Sequence, residues 1–213
     1  MNVTVCQKLL EAIRDHSPST KLVNFSSAAI YGNPDRLPIS ENMEAKPISP
    51  YGRHKLEAEN LCLKFKEKHG VNSINLRVFS VYGPGLKKQL FWDLYNKTLN
   101  GDPIKLFGTG NESRDYIFID DLLQAIDCII KRSGFDDHVI NVANGMEISI
   151  REAATSLLKA LNCQKELSFN GEVRPGDPLN WKADISKLKA LGYEPSVSLA
   201  EGLNQYAEWL GKT

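Results

Sequence analysis

Cysteine is scarce and scattered: Cys6, Cys62, Cys128 and Cys163 form no C-x-x-C pair in 213 residues. This excludes a secreted scaffold stapled by disulfides. The four histidines (His16, His54, His69 and His138) cluster neither with each other nor with cysteine, so no metal is expected. No apolar stretch approaches the ~20 residues that span a bilayer, and no signal peptide precedes Val3, so a membrane partner is not expected. Basic and acidic side chains balance at 26 each, which removes the usual attraction to nucleic acid. What remains is a cytoplasmic chain with reduced thiols, 42% hydrophobic and long enough for one core or a core plus a small lobe.

Val5, Leu9, Leu10 and Ile13 have helical spacing within a segment from Val3 to His16. Leu22 to Phe25 is a short apolar run that ends in Ser26-Ser27 and reads as a buried strand followed by a turn. Asn33 to Ser49, with Pro34, Pro38 and Pro47, predicts a long surface loop. Pro50 suits a first helical turn, and Tyr51 to His69 predicts a helix closed by Gly70. Ser73 to Phe79 reads as the next strand, so strand, helix and strand imply a right-handed parallel crossover. Beyond Gly83-Pro84-Gly85 the pattern predicts a helix over 90–99 that stops at Asn100-Gly101, then strands over 104–107 and 116–119. A helix over 120–131, a strand over 138–142 and a helix capped by Ser149 follow. The tail predicts a strand at 167–169 and helices over 184–191 and 199–210. The expected class is α/β: residues 1–84 form part of a parallel sheet domain, and 85–213 mainly form a smaller mixed lobe, with about 115–142 returning to the sheet.

Tyr51 and Lys55 are four apart on a predicted helix and share a face. A phenol with a pKa of ~10 must shift by ~3 units, or ~4 kcal/mol, to move protons near neutral pH. An ammonium ~4 Å away supplies roughly that at an effective dielectric of ~20. Alone, the pair is equally what a solvated helix face carries. Five ordered motifs, one of them holding the pair, give it context: Ser-Ser-Ala-Ala-Ile-Tyr-Gly at 26–32, Ser-Pro-Tyr-Gly-x-x-Lys at 49–55, Leu-Arg-Val-Phe-Ser-Val-Tyr-Gly-Pro-Gly at 76–85, Ser-Arg-Asp-Tyr-Ile-Phe-Ile-Asp-Asp at 113–121 and Arg-Pro-Gly-Asp at 174–177. In this order they resemble the extended short-chain dehydrogenase/reductase family, in its nucleotide-sugar epimerase/dehydratase branch of UDP-glucose 4-epimerase type.

The resemblance implies a Rossmann-type sheet, a C-terminal substrate lobe, NAD as cofactor (with NADP open) and a UDP-linked sugar as substrate. It implies that Tyr51 moves the sugar hydroxyl proton, that Lys55 contacts the cofactor ribose and favours the phenolate, and that Ser27 hydrogen-bonds the reacting oxygen. Tyr51, Lys55 and Phe79 fall at cofactor-binding positions. Arg114 and Arg174 match the arginines that hold the diphosphate, which suits a guanidinium fork, although a surface ion pair of Arg114 with Glu112 or Asp115 is the plain alternative. Asp177 matches a ribose contact, and Trp181 falls at the sugar pocket or, equally, in the core of the tail. Ser80 stands where the family usually has asparagine, so it takes that substrate position with a shorter side chain. Ala28-Ala29 stand where a dehydratase needs Asp-Glu, which favours an epimerase or a keto-sugar reductase.

The dinucleotide fingerprint is absent. Gly108-Thr-Gly110 is the nearest candidate, but it lacks the third glycine and lies between predicted strands, so it reads as a turn. The expectation is a truncated or partial chain, active with a partner that supplies cofactor binding or surviving as a non-catalytic nucleotide-sugar binder. Family members pair as homodimers through the helices that match 3–16 and 51–69, and the same is expected here.

Overall fold

The computed structural model describes residues 2–100, 103–135, 137–172 and 174–212. Helix α1 (Asn2–His16), strand β1 (Leu22–Phe25), helix α2 (Pro50–His69) and strand β2 (Ser73–Val78) come first. Next are β3 (Ser80–Tyr82), α3 (Gln89–Leu99), β4 (Ile104–Leu106), β5 (Ser113–Arg114), β6 (Tyr116–Phe118) and α4 (Ile119–Arg132). The remainder is β7 (Val139–Val142), β8 (Ile148–Ser149), α5 (Ile150–Ala160), β9 (Leu167–Phe169), α6 (Ser186–Ala190) and α7 (Leu199–Leu210). Helix ends follow cap chemistry. Ser49 accepts from the Gly52 N–H before Pro50, and Gly70 closes α2 at φ 67°. Ser149 caps α5, and Ser198 with Glu201 makes a capping box on α7. Gly101, part of the expected stop of α3, lies outside the described residues.

Strand β2 is the middle of a parallel sheet ordered β1-β2-β7, with Leu22 opposite Ser73 and Val78 opposite Val142. Its burial on both faces is what a central parallel strand requires. Arg77 is buried there because its charge is paired: Nη2 lies 2.7 Å from Glu59 Oε2 on α2. Its Nη1 donates to the Tyr31 hydroxyl and to the Glu41 carbonyl, both at 2.9 Å, and Tyr31 donates to Asn141 Oδ1 at 2.7 Å. This network holds the 33–49 segment against the sheet. That segment departs from the expected surface loop: Ile39 is fully buried and bridges to Ala183.

The strand expected over 73–79 ends at Val78, and the chain turns into β3, which pairs parallel with β6. Ile119 opens α4 instead of closing the strand before it. Strands β4 and β9 pair parallel, and β5 and β8 pair antiparallel. One core surrounds the three-stranded sheet and a second lies among α3, α5 and α7; a small third core of Leu10, Ile13, Cys62, Phe65 and Val71 joins α1 to α2. Among the described residues, no helix is long and apolar enough to cross a membrane.

Candidate active site

Ser27 ends the β1 turn in extended geometry, and its Oγ accepts the Ala29 N–H at 3.2 Å as the cap of a short 3-10 turn, Ala28–Ile30. A hydroxyl that accepts one bond keeps its proton to donate, so capping and substrate binding are compatible at Ser27. Gly52 lets the first turn of α2 lie against this turn: a Cβ there would sit 2.5 Å from the Ala29 carbonyl oxygen. The neighbouring Tyr51 therefore reaches the same wall as Ser27, with its side chain about half exposed.

That wall belongs to a cleft of about 890 Å³. Ser27, Tyr51, Phe79, Ser80, Arg114, Arg174, Asp177 and Trp181 all line it. Lys55 does not line the cleft. Its Nζ donates to the Phe25 carbonyl at 2.6 Å and lies 5.7 Å from the centre of the Tyr51 ring. Burial lowers the Lys55 pKa, opposed by the nearby Cys6 thiol. The expected cofactor-side lysine therefore stands beside the tyrosine, outside the space open to substrate.

The guanidinium of Arg114 lies 5.6 Å from the centre of the Trp181 ring and donates to the Ser113 and Leu179 carbonyls. Desolvation lowers its pKa, while Tyr116, Asp177 and Glu112 oppose that shift. Among the described residues it makes no ion pair with Glu112 or Asp115, so the plain surface alternative fails. Arg174 lies over Phe107 at 3.9 Å and is exposed. Trp181 is both a core and a cleft residue: its indole N–H donates to the Gly32 carbonyl at 3.0 Å, and its ring meets Phe79 edge-on at 5.8 Å.

Other cleft residues had no catalytic or binding role of their own in the sequence, although the resemblance placed the stretch 87–92 near nucleotide and sugar. Glu112 accepts from the Thr109 and Gly110 N–H groups, both at 2.9 Å, which shapes the Gly108–Gly110 turn. Burial raises its carboxyl, but these bonds outweigh that and hold it below the usual range. Lys88 and Gln89 bring the start of α3 to the cleft; Lys88 offers no side-chain cap, and Gln89 sits in the left-handed region at φ 67°. An aromatic at a strand end (Phe107) and an acid just after Gly-x-Gly (Glu112) were the available signals. The orphan N–H groups of α3 had none.

The model of the NAD dependent epimerase/dehydratase family matches residues 1–143. The chain belongs to this family. It is 34% identical over 211 residues to an uncharacterized UDP-glucose epimerase, YtcB, of Bacillus subtilis (strain 168), covering 98% of this chain and 66% of that protein. A UDP-glucuronate 4-epimerase of Thermodesulfobacterium geofontis (strain OPF15) is 31% identical, covering 98% and 64%. The solved UDP-glucuronic acid 4-epimerase of Bacillus cereus, in complex with UDP-glucuronic acid and NAD, superposes with a TM-score of 0.88 at 31% identity, covering 99% of this chain and 67% of that one. The chain thus spans about two thirds of the length of the curated relatives it matches. The α/β fold with parallel strands is that of the family's epimerases.

Proposed function

We propose that this chain carries the proton-transfer and nucleotide-sugar part of an NAD-dependent nucleotide-sugar epimerase of the UDP-hexose 4-epimerase type. The observation that carries this reading is the single cleft in which Ser27 and Tyr51 meet Arg114 and Arg174. The arginines hold the diphosphate, Asp177 takes the ribose, and Phe79, Ser80 and Trp181 enclose the sugar. Tyr51 Oη removes the proton of the sugar hydroxyl and later returns it. Ser27 donates its free O–H to the same oxygen, which keeps that oxygen aimed at the phenol. Lys55, within 5.7 Å of the ring, favours the phenolate without occupying sugar space.

Tyr51, Lys55 and Phe79 fit the nicotinamide and ribose end of NAD: a phenol and a ring on the cleft wall, and an amine behind them. NAD, when bound, supplies a hydride acceptor for the sugar carbon. Ala28, fully buried, and Ala29, on the cleft wall, give no acid or base for eliminating water, which favours epimerisation over dehydration. A keto-sugar reductase would use the same three residues in one direction and would consume reduced cofactor. The free thiols of Cys6, Cys62, Cys128 and Cys163 suit the cytoplasm. Val5 and Leu9, exposed on α1, suit pairing of two copies.

The test is calorimetry with UDP and UDP-glucose, with and without NAD, followed by NMR of the sugar product. UDP binding that is lost in Arg174→Gln, together with inversion at C4 that is lost in Tyr51→Phe, supports the reading. A chain that binds no UDP refutes it.

A further inference from the structure

Among the described residues, two buried side-chain oxygens lack any hydrogen-bond partner, Ser26 Oγ and Tyr116 Oη, and both residues line the cleft. Tyr116 is the more constrained. It opens β6 opposite Ser80 of β3, so the two side chains leave a parallel ribbon on the same face, and Ser80 lines the cleft as well. Its ring is packed by Phe91 at 5.2 Å and by Tyr82, perpendicular, at 6.1 Å. That packing fixes the ring where it lines the cleft. Asp115, the intervening residue, points away to the Asn144 and Ala183 N–H groups. Arg114 and Tyr116 therefore address the cleft together.

A buried phenol without a partner is a standing cost to the folded chain and calls for an explanation. We infer that the Tyr116 hydroxyl is reserved for ligand, donating to a diphosphate oxygen of the nucleotide sugar alongside Arg114. This deepens the proposed function and rests on it. Burial raises the phenol's pKa, so it stays a neutral donor near physiological pH and does not compete with Tyr51 as an acid/base. The adjacent guanidinium selects an anionic oxygen over a sugar ether or a neutral carbonyl. Ser80, in register beside it, lines the same cleft.

The experiment is calorimetry of UDP, and separately of NAD, on the wild type and Tyr116→Phe, with thermal unfolding of both unliganded proteins. Loss of one charge-assisted hydrogen bond should weaken UDP binding about tenfold or more. Unliganded Tyr116→Phe should melt at the same temperature or higher, since the change deletes an unpaired oxygen and nothing else. A lower melting temperature or failure to fold would show that the hydroxyl has a partner inside the chain, overturning the inference. Unchanged UDP affinity overturns it while leaving the proposed function standing, and so does a loss confined to NAD. If wild-type protein binds no UDP, both fall.

Discussion

Asp115 is fully buried, and its two carboxylate oxygens each receive a backbone N–H at 3.0 Å, from Asn144 and from Ala183. The N–H groups of Gly145 and Met146 add to the same carboxylate. One side chain thus fastens the turn after β7 and the segment that carries Trp181, while its neighbour Arg114 faces the cleft. Asp115→Asn keeps the shape but replaces one acceptor oxygen with a donor. Whichever way the amide turns, an N–H group loses its bond and meets another donor. The expected loss is about 2–4 kcal/mol, or roughly 5–15 °C in melting temperature for a chain of this size. Burial pushes the Asp115 carboxyl up to about 7, against the hydrogen bonds that favour its ionised form. Relative to an unfolded value of ~3.9, the folded state keeps this proton to higher pH. The stabilisation linked to it is complete below about pH 4 and disappears as pH rises through about 7, at most about 4 kcal/mol in total. Urea unfolding of both proteins from pH 4.5 to 8 should therefore show a deficit in the variant that is largest at the acid end and shrinks toward pH 8. A variant as stable as wild type at every pH would refute the claim that this carboxylate joins the two segments. A deficit that does not change with pH would refute the assigned protonation.

Two other changes probe the frame behind the cleft. Arg77→Met leaves Glu59 charged and buried without its partner, and should cost about 3–5 kcal/mol in urea unfolding, most of it recovered by adding Glu59→Leu. Gly52→Ala drives a methyl group against the Ala29 carbonyl, 2.5 Å away; it should cost about 1–3 kcal/mol and lower C4 inversion by NMR while UDP affinity by calorimetry is retained.

The fold was legible where periodicity and caps agree. Helix α7 and strands β1 and β9 match the bounds read from the sequence, and Ser149 caps α5 as expected. Strand β3 was not legible because it follows β2 after a single residue, and β5 and β8, two residues each, are too short to establish a period. Ile39 was misread as surface because proline density signals an irregular chain, which is not the same as an exposed one; burial came from the long-range bridge to Ala183. The cleft was legible as a set of side chains, since ordered motifs name residue types. Their arrangement was not. That Lys55 stands behind Tyr51, that Trp181 is pinned to Gly32, and that Tyr116 is left without a partner all depend on contacts between residues 4 to 149 positions apart.

Helix α1 touches the rest of the molecule through its own small apolar layer, made with Cys62, Phe65 and Val71 and separate from the two larger cores. The free energy needed to lift it away is set by that layer, with Cys6 against the Ala58 carbonyl and Arg14 over the Phe65 ring. Solvent should thus reach the amides of residues 2–16 through a local opening long before it reaches β2, and the molecule can shed its first helix while Arg114 and Arg174 keep their places.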